Sequence, residues 1–165
     1  MNRAYVPAFA VFLLFGSFYS ASISADLDGI RTRLTPDDPV SVGIGFSVYA
    51  EHCAACHGKN LEGQTAADNP DPEDETWLPA PAHDETGHTW HHADDELFDV
   101  VKYGLDKAMK DPDYPMWMPA YQDVLSDEEI ISVLSYIKST WSDEYKAIHD
   151  QKNKLEETYW QPFVH

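Results

Sequence analysis

Five consecutive residues, Cys53-Ala54-Ala55-Cys56-His57, restrict what this chain can become more than any other stretch. Two thiols three positions apart can each add across a vinyl group of one porphyrin. A histidine directly after the second can then meet the iron from one face. A thioredoxin-like redox pair uses the same cysteine spacing but has no need of the histidine. The plainer alternative is a chance pair of buried thiols beside a surface histidine. Only these two cysteines occur in the chain, so haem attachment leaves none for a disulfide framework. One covalent haem c per chain is the expectation.

The chain has 165 residues, enough for one domain plus ends. Asn2-Arg3 gives a short positive start, residues 4–25 carry no charge, and Phe9 to Phe15 is apolar before a run of small residues at Ser20, Ala21, Ser22 and Ser24. This three-part layout predicts a signal peptide over 1–24, with cleavage after Ser22 or Ser24. An uncleaved anchor is the other reading, since about twenty apolar residues can span a bilayer. Either way the haem domain is exported, which in a bacterium means the periplasm. Membrane association is expected only if the segment stays uncleaved.

There are 11 basic and 29 acidic side chains, a formal charge of −18. Losing Arg3 with the leader leaves 10 against 29, or −19. Nucleic acid and anionic lipid would be repelled by such a surface, and a redox protein with a basic docking face would be attracted. General solubility explains the same charge without a partner.

Residues 25–40, with Pro36 and Pro39, read as a linker. Folding is expected from Ser41, where Val42, Phe46 and Tyr49, extended by Ile44 and Val48, make a helical stripe leading into Cys53. Gly43 and Gly45 weaken that helix by about 1 kcal/mol each, and the close approach of another helix would account for them. The stretch 68–75 holds five acids and two prolines and reads as a solvated loop rather than a calcium site. Asp94 is placed to cap a helix through Tyr103 that Gly104 ends. Ser126 and Glu129 form a capping box for a last helix whose inward stripe is Ile130, Val133, Leu134 and Ile137. No alternating run predicts a strand. Residues 142–165 are a charged extension, helical or frayed, whose closing Tyr159, Trp160 and Phe163 either fold back or dock a partner.

The haem motif, the four-residue steps Gly45, Tyr49 and Cys53, and Trp117-Met118-Pro119-Ala120-Tyr121 together resemble the class I cytochrome c family over residues 41–141. The resemblance implies an all-α fold of three to four helices around one haem, with N- and C-terminal helices crossing. It also implies His57 and Met118 as axial ligands, because the family's methionine directly precedes a proline. Met116 is the rival. A downstream proline carbonyl should fix the tautomer of His57, and Pro79 or Pro81 is positioned for this. Tyr121, Trp90 and Lys59 are candidate neighbours of the haem edge. His83, His88, His91 and His92 crowd one stretch. They admit either a second metal or, more simply, hydrogen bonds to propionates and local backbone. The stretch Leu78-Pro79-Ala80-Pro81 with these histidines resembles a bacterial single-haem subgroup. The acidic loop and the extension are outside the resemblance.

A carrier of single electrons, not an enzyme, is the expected function. One alternative is a haem module of a dehydrogenase or oxidase complex. The other is a haem enzyme in which Met118 leaves the iron.

Overall fold

The computed structural model describes residues 34–109 and 118–159. The expected signal peptide, most of the expected linker, Met116 and the closing residues 160–165 lie outside the described residues.

Helix α1 (Pro39–Val48) begins with Pro39 at its first turn, where a fixed φ favours helix and the missing N–H is not needed. The Asp38 carboxylate caps it by accepting from the Val40 and Ser41 N–H groups, both at 3.2 Å. Leu34 is buried, and its N–H donates to Asp94 Oδ2 at 3.0 Å. The Thr35 N–H reaches Ser135 Oγ at 2.9 Å. Packed structure is thus present before Ser41, because a proline that reads as a breaker serves here as a helix start.

A π-helical turn over Tyr49–Cys53 links α1 to the single turn α2 (Ala54–His57). Helix α3 (Asp94–Tyr103) is followed by α4 (Leu105–Met109), α5 (Asp127–Ser139) and α6 (Asp143–Tyr159). No strand occurs among the described residues. The architecture is all-α, with more short segments than the three or four helices expected.

Helices α1 and α5 form the central pair. At their crossing a Cβ on Gly45 would stand 1.9 Å from the Ser132 carbonyl oxygen, so only glycine admits this approach. Gly43 faces nothing within 4 Å and has no such role. The buried face of α1 runs through Gly45 and Val48 and continues into Tyr49 of the next turn, while Ile44 and Phe46, expected inward, are exposed. Contact at the glycine rotates the helix toward its smallest residue. Phe46 lies on the flank, its ring edge-on to Tyr136 at 5.5 Å.

Helix α5 buries Ile130, Val133, Leu134 and Ile137 as its spacing predicts. Each such side chain contributes about 1.5–3 kcal/mol. Its capping box is formed, with the Glu129 N–H donating to Ser126 Oγ and the Ser126 N–H to Glu129 Oε2. Helix α3 is capped differently from expectation: Ala93 is the N-cap residue, and its N–H donates to Glu96 Oε2. Asp94 is buried instead, holding the Leu34 N–H and the Asn153 side-chain amide.

Within the extension, Asp143–Tyr159 is helical and packs on the body through Tyr145 and His149. Trp141 and His149 are buried, the buried Lys138 Nζ reaches Asp150 Oδ1 at 2.6 Å, and Tyr145 of α6 sits edge-on to Trp90. No helix among the described residues is long and apolar enough to cross a membrane.

Candidate haem site

The turn carrying Cys53, Cys56 and His57 is held from below by Tyr49. This side chain is almost wholly buried, and its hydroxyl lies 3.1 Å from the His57 carbonyl and 2.9 Å from that of Gly58. Burial raises the phenol pKa well above its ordinary value, so the hydroxyl stays a donor. After His57 the chain reverses through Gly58 and Leu61, both at positive φ, the latter unusual for a branched residue.

That reversal lays residues 61–64 beside residues 80–84. The Gly63 N–H donates to the His57 carbonyl at 2.8 Å, the Gln64 N–H to the Ala80 carbonyl at 2.9 Å, and the His83 N–H to the Leu61 carbonyl at 2.8 Å. Gly63 has φ +71, and a Cβ there would stand 2.5 Å from the Ala82 nitrogen. The zipped pair of segments delivers the Pro81 carbonyl to His57 Nδ1 at 2.9 Å. Of the two prolines considered, Pro81 makes this approach.

His57 is buried, and burial lowers its pKa, with the Pro81 bond opposing in part. A neutral ring donating from Nδ1 keeps its lone pair on Nε2, the atom a metal takes. Nε2 makes no hydrogen bond among the described residues. Cys53 and Cys56 are both free, the first half-buried and the second exposed. Burial, then the neighbouring Cys56, pushes the Cys53 thiol up to about 11. Two unpaired thiols beside a histidine with an open Nε2 are the donor set that covalent haem requires, so the residues fit the group.

The loop of Met118 hangs on the C-terminal end of α3. Gly104, at φ +84, ends that helix. The carbonyls of Val101 and Lys102, which α3 leaves open, accept from the Tyr121 and Gln122 N–H groups, both at 3.0 Å. The Leu105 N–H reaches the Met118 carbonyl at 3.4 Å. Met118 and Pro119 are half-buried. Tyr121 ties this loop to the haem turn, its hydroxyl donating to the His52 carbonyl at 2.9 Å. Burial, then Cys53 and Cys56, raises its phenol pKa.

The histidine-rich stretch divides. His83 stacks on His57 with ring centroids 4.1 Å apart and planes 24° from parallel. His88 and His92 meet edge to face at 5.5 Å, and His91 lies on Trp90 at 3.7 Å. Trp90 donates to the Gly87 carbonyl, and Lys59 is exposed. Among the described residues no three His, Cys, Asp or Glu side chains are placed to share a metal ion. The loop at 65–76 satisfies itself: Asp68 accepts from Thr65, Asp71 from the Glu73 N–H, and Asp74 from Thr76. Three features escaped sequence reasoning: the Tyr49 hydroxyl, the His57–His83 stack and the Asp94–Asn153 pairing. For His83, the signal was its place two residues after a proline that was already a candidate.

Residues 42–141 match the protein family described as Cytochrome c. Over 50 residues, 30% of this chain, it is 40% identical to the Cbb3-type cytochrome c oxidase subunit FixPc of Rhizobium leguminosarum bv. viciae. Over 99 residues, 60% of this chain, it is 25% identical to the Cbb3-type cytochrome c oxidase subunit FixP of Sinorhizobium medicae. The matched regions span 17% and 30% of those relatives' lengths. No solved structure matches at the same stringency.

Proposed function

This chain belongs to the cytochrome c family, and from that premise we propose that it carries single electrons between redox proteins of the periplasm, with His57 and Met118 as the two axial ligands. Haem c, covalently bound, is the family's cofactor and makes this chain an electron-transfer module. When bound it supplies a one-electron ferric/ferrous couple. The protein's residues do the rest. Cys53 and Cys56 tether the group through thioethers, which keeps it in place as the iron cycles. His57 presents Nε2 while Pro81 holds Nδ1. The Met118 thioether favours the ferrous state and raises the potential. With His57 and Met118 both holding the iron, the site would pass electrons rather than admit substrates.

The observation that carries this reading is the single bond from His57 Nδ1 to the Pro81 carbonyl, which commits one nitrogen and leaves the other for iron. The test is the visible spectrum of the matured protein. A low-spin c-type haem with a sulfur-to-iron charge-transfer band in the oxidised form is expected. The band should vanish in Met118→Ala and persist in Met116→Ala. Five-coordinate iron at rest, with rapid carbon monoxide or cyanide binding, would instead favour a haem enzyme in which Met118 leaves.

A second reading is supported by the names of the two relatives, both oxidase subunits. In it the chain is a haem module within an oxidase or dehydrogenase complex. Affinity purification of the full chain from detergent-solubilised whole cells separates the two: co-isolation of a catalytic subunit supports the complex, and recovery of the chain alone supports the carrier.

A further inference from the structure

A hydrogen bond at one ring nitrogen holds an imidazole by a single edge, and restrains its rotation about the Cβ–Cγ bond only as tightly as that one contact does. His57 has such a bond at Nδ1, to Pro81. Its second restraint is the face of His83, stacked at 4.1 Å. His83 is itself held at its backbone and at one ring nitrogen. Its N–H donates to the Leu61 carbonyl at 2.8 Å, and its carbonyl accepts from Trp141 Nε1–H at 2.8 Å. Its Nδ1 lies 2.8 Å from Oγ1 of the buried Thr89. The Tyr49 ring meets it edge-on at 6.4 Å. A ring fixed at its backbone on both sides and at one side-chain nitrogen is a rigid plate.

The plate is connected to the extension. Trp141 is buried and packs edge to face on His149 of α6 at 5.2 Å. Direct contacts therefore run from α6 through His149, Trp141 and His83 to His57. The family match ends at residue 141, so α6 lies beyond it.

We propose that His83, clamped by Trp141, is a positioning residue that fixes the rotation of the His57 ring and so sets the orientation of the ligand plane over the haem iron. This rests on His57 being the iron's ligand. Axial-ligand geometry is one of the levers by which a protein tunes a haem. What is asked of position 83 is a flat face packed against the His57 ring.

The experiment uses the full-length haem protein in the ferric state, read by electron paramagnetic resonance and by its reduction potential at fixed pH. His83→Ala removes the plate and is expected to broaden and move the largest g value, and to shift the potential. His83→Phe restores a flat face without the Thr89 bond and should return both readouts close to those of the unaltered protein. Trp141→Phe keeps the packing but loses the donor, and should move the g value in the same direction by less. An unaltered g value and linewidth in His83→Ala would overturn the proposal, as would a His83→Phe spectrum displaced as far as that of His83→Ala. Should the alanine variant not mature, an unaltered Trp141→Phe spectrum overturns it equally. Unaltered protein whose ferric resonance is not that of a low-spin, histidine-ligated c-type haem would refute the ligand reading instead, and the two failures are told apart by that control.

Discussion

His149 has no exposed surface, and its Nε2 stands 3.3 Å from Asp94 Oδ1, yet neither ring nitrogen makes a well-directed hydrogen bond. Burial, then the nearby Lys138 ammonium, lowers its pKa from 6.5, against the pull of Asp94 and Asp150. The unfolded chain therefore binds more protons than the folded one below about pH 6.5. Stability is fully present above that value and falls as pH drops through it, by up to ~1.4 kcal/mol per pH unit for one such group. His83, pushed down to about 3, acts with the same sign. The urea midpoint should fall between pH 7.5 and 5.5, and fall less in His149→Phe, which keeps a ring against Trp141 but cannot titrate. Equal pH dependence in the two proteins would count against a neutral buried His149.

At the scale of helices the decisive contact is α1 against α5. Because a Cβ on Gly45 would meet the Ser132 backbone at 1.9 Å, Gly45→Ala must push the pair apart. A loss of about 2–3 kcal/mol is expected by chemical denaturation, with Gly43→Ala neutral or slightly stabilising because it faces open space. The contrast shows how far local pattern reaches. Both glycines are visible as anomalies in a helix, but only the partner's backbone distinguishes them. The capping box at Ser126 and Glu129 and the inward stripe of α5 were legible because they are set within a few residues. Cys53, Cys56 and His57 stand together in the sequence, as haem attachment would demand. The Pro81 carbonyl was narrowed only to two prolines, since the zipper of residues 61–64 with 80–84 that selects it depends on positive φ at Leu61 and Gly63. The order in residues 34–40 and in α6 was hidden. Their anchors, Asp94 to Leu34 and Asn153, join positions about sixty residues apart.

The molecule as a whole carries a formal charge of −18, and such a field steers small redox partners by sign. Oxidation of the ferrous protein by tris(phenanthroline)cobalt(III) should slow about tenfold from ~10 to ~200 mM salt, whereas oxidation by ferricyanide should accelerate. Identical salt responses for the two reagents would remove charge steering from the account. Part of that charge belongs to the acidic segment, whose ends are joined at its base by the Gln64 N–H to the Ala80 carbonyl and by the Ala80 N–H to Gln64 Oε1. Closing a longer loop across a fixed base costs only about 0.6 kcal/mol per doubling of length. Residues 65–79 are thus a site for grafting: an electrode-binding tag or fluorophore-bearing peptide inserted there would be wired close to the haem turn while the bonds that hold it stay shut.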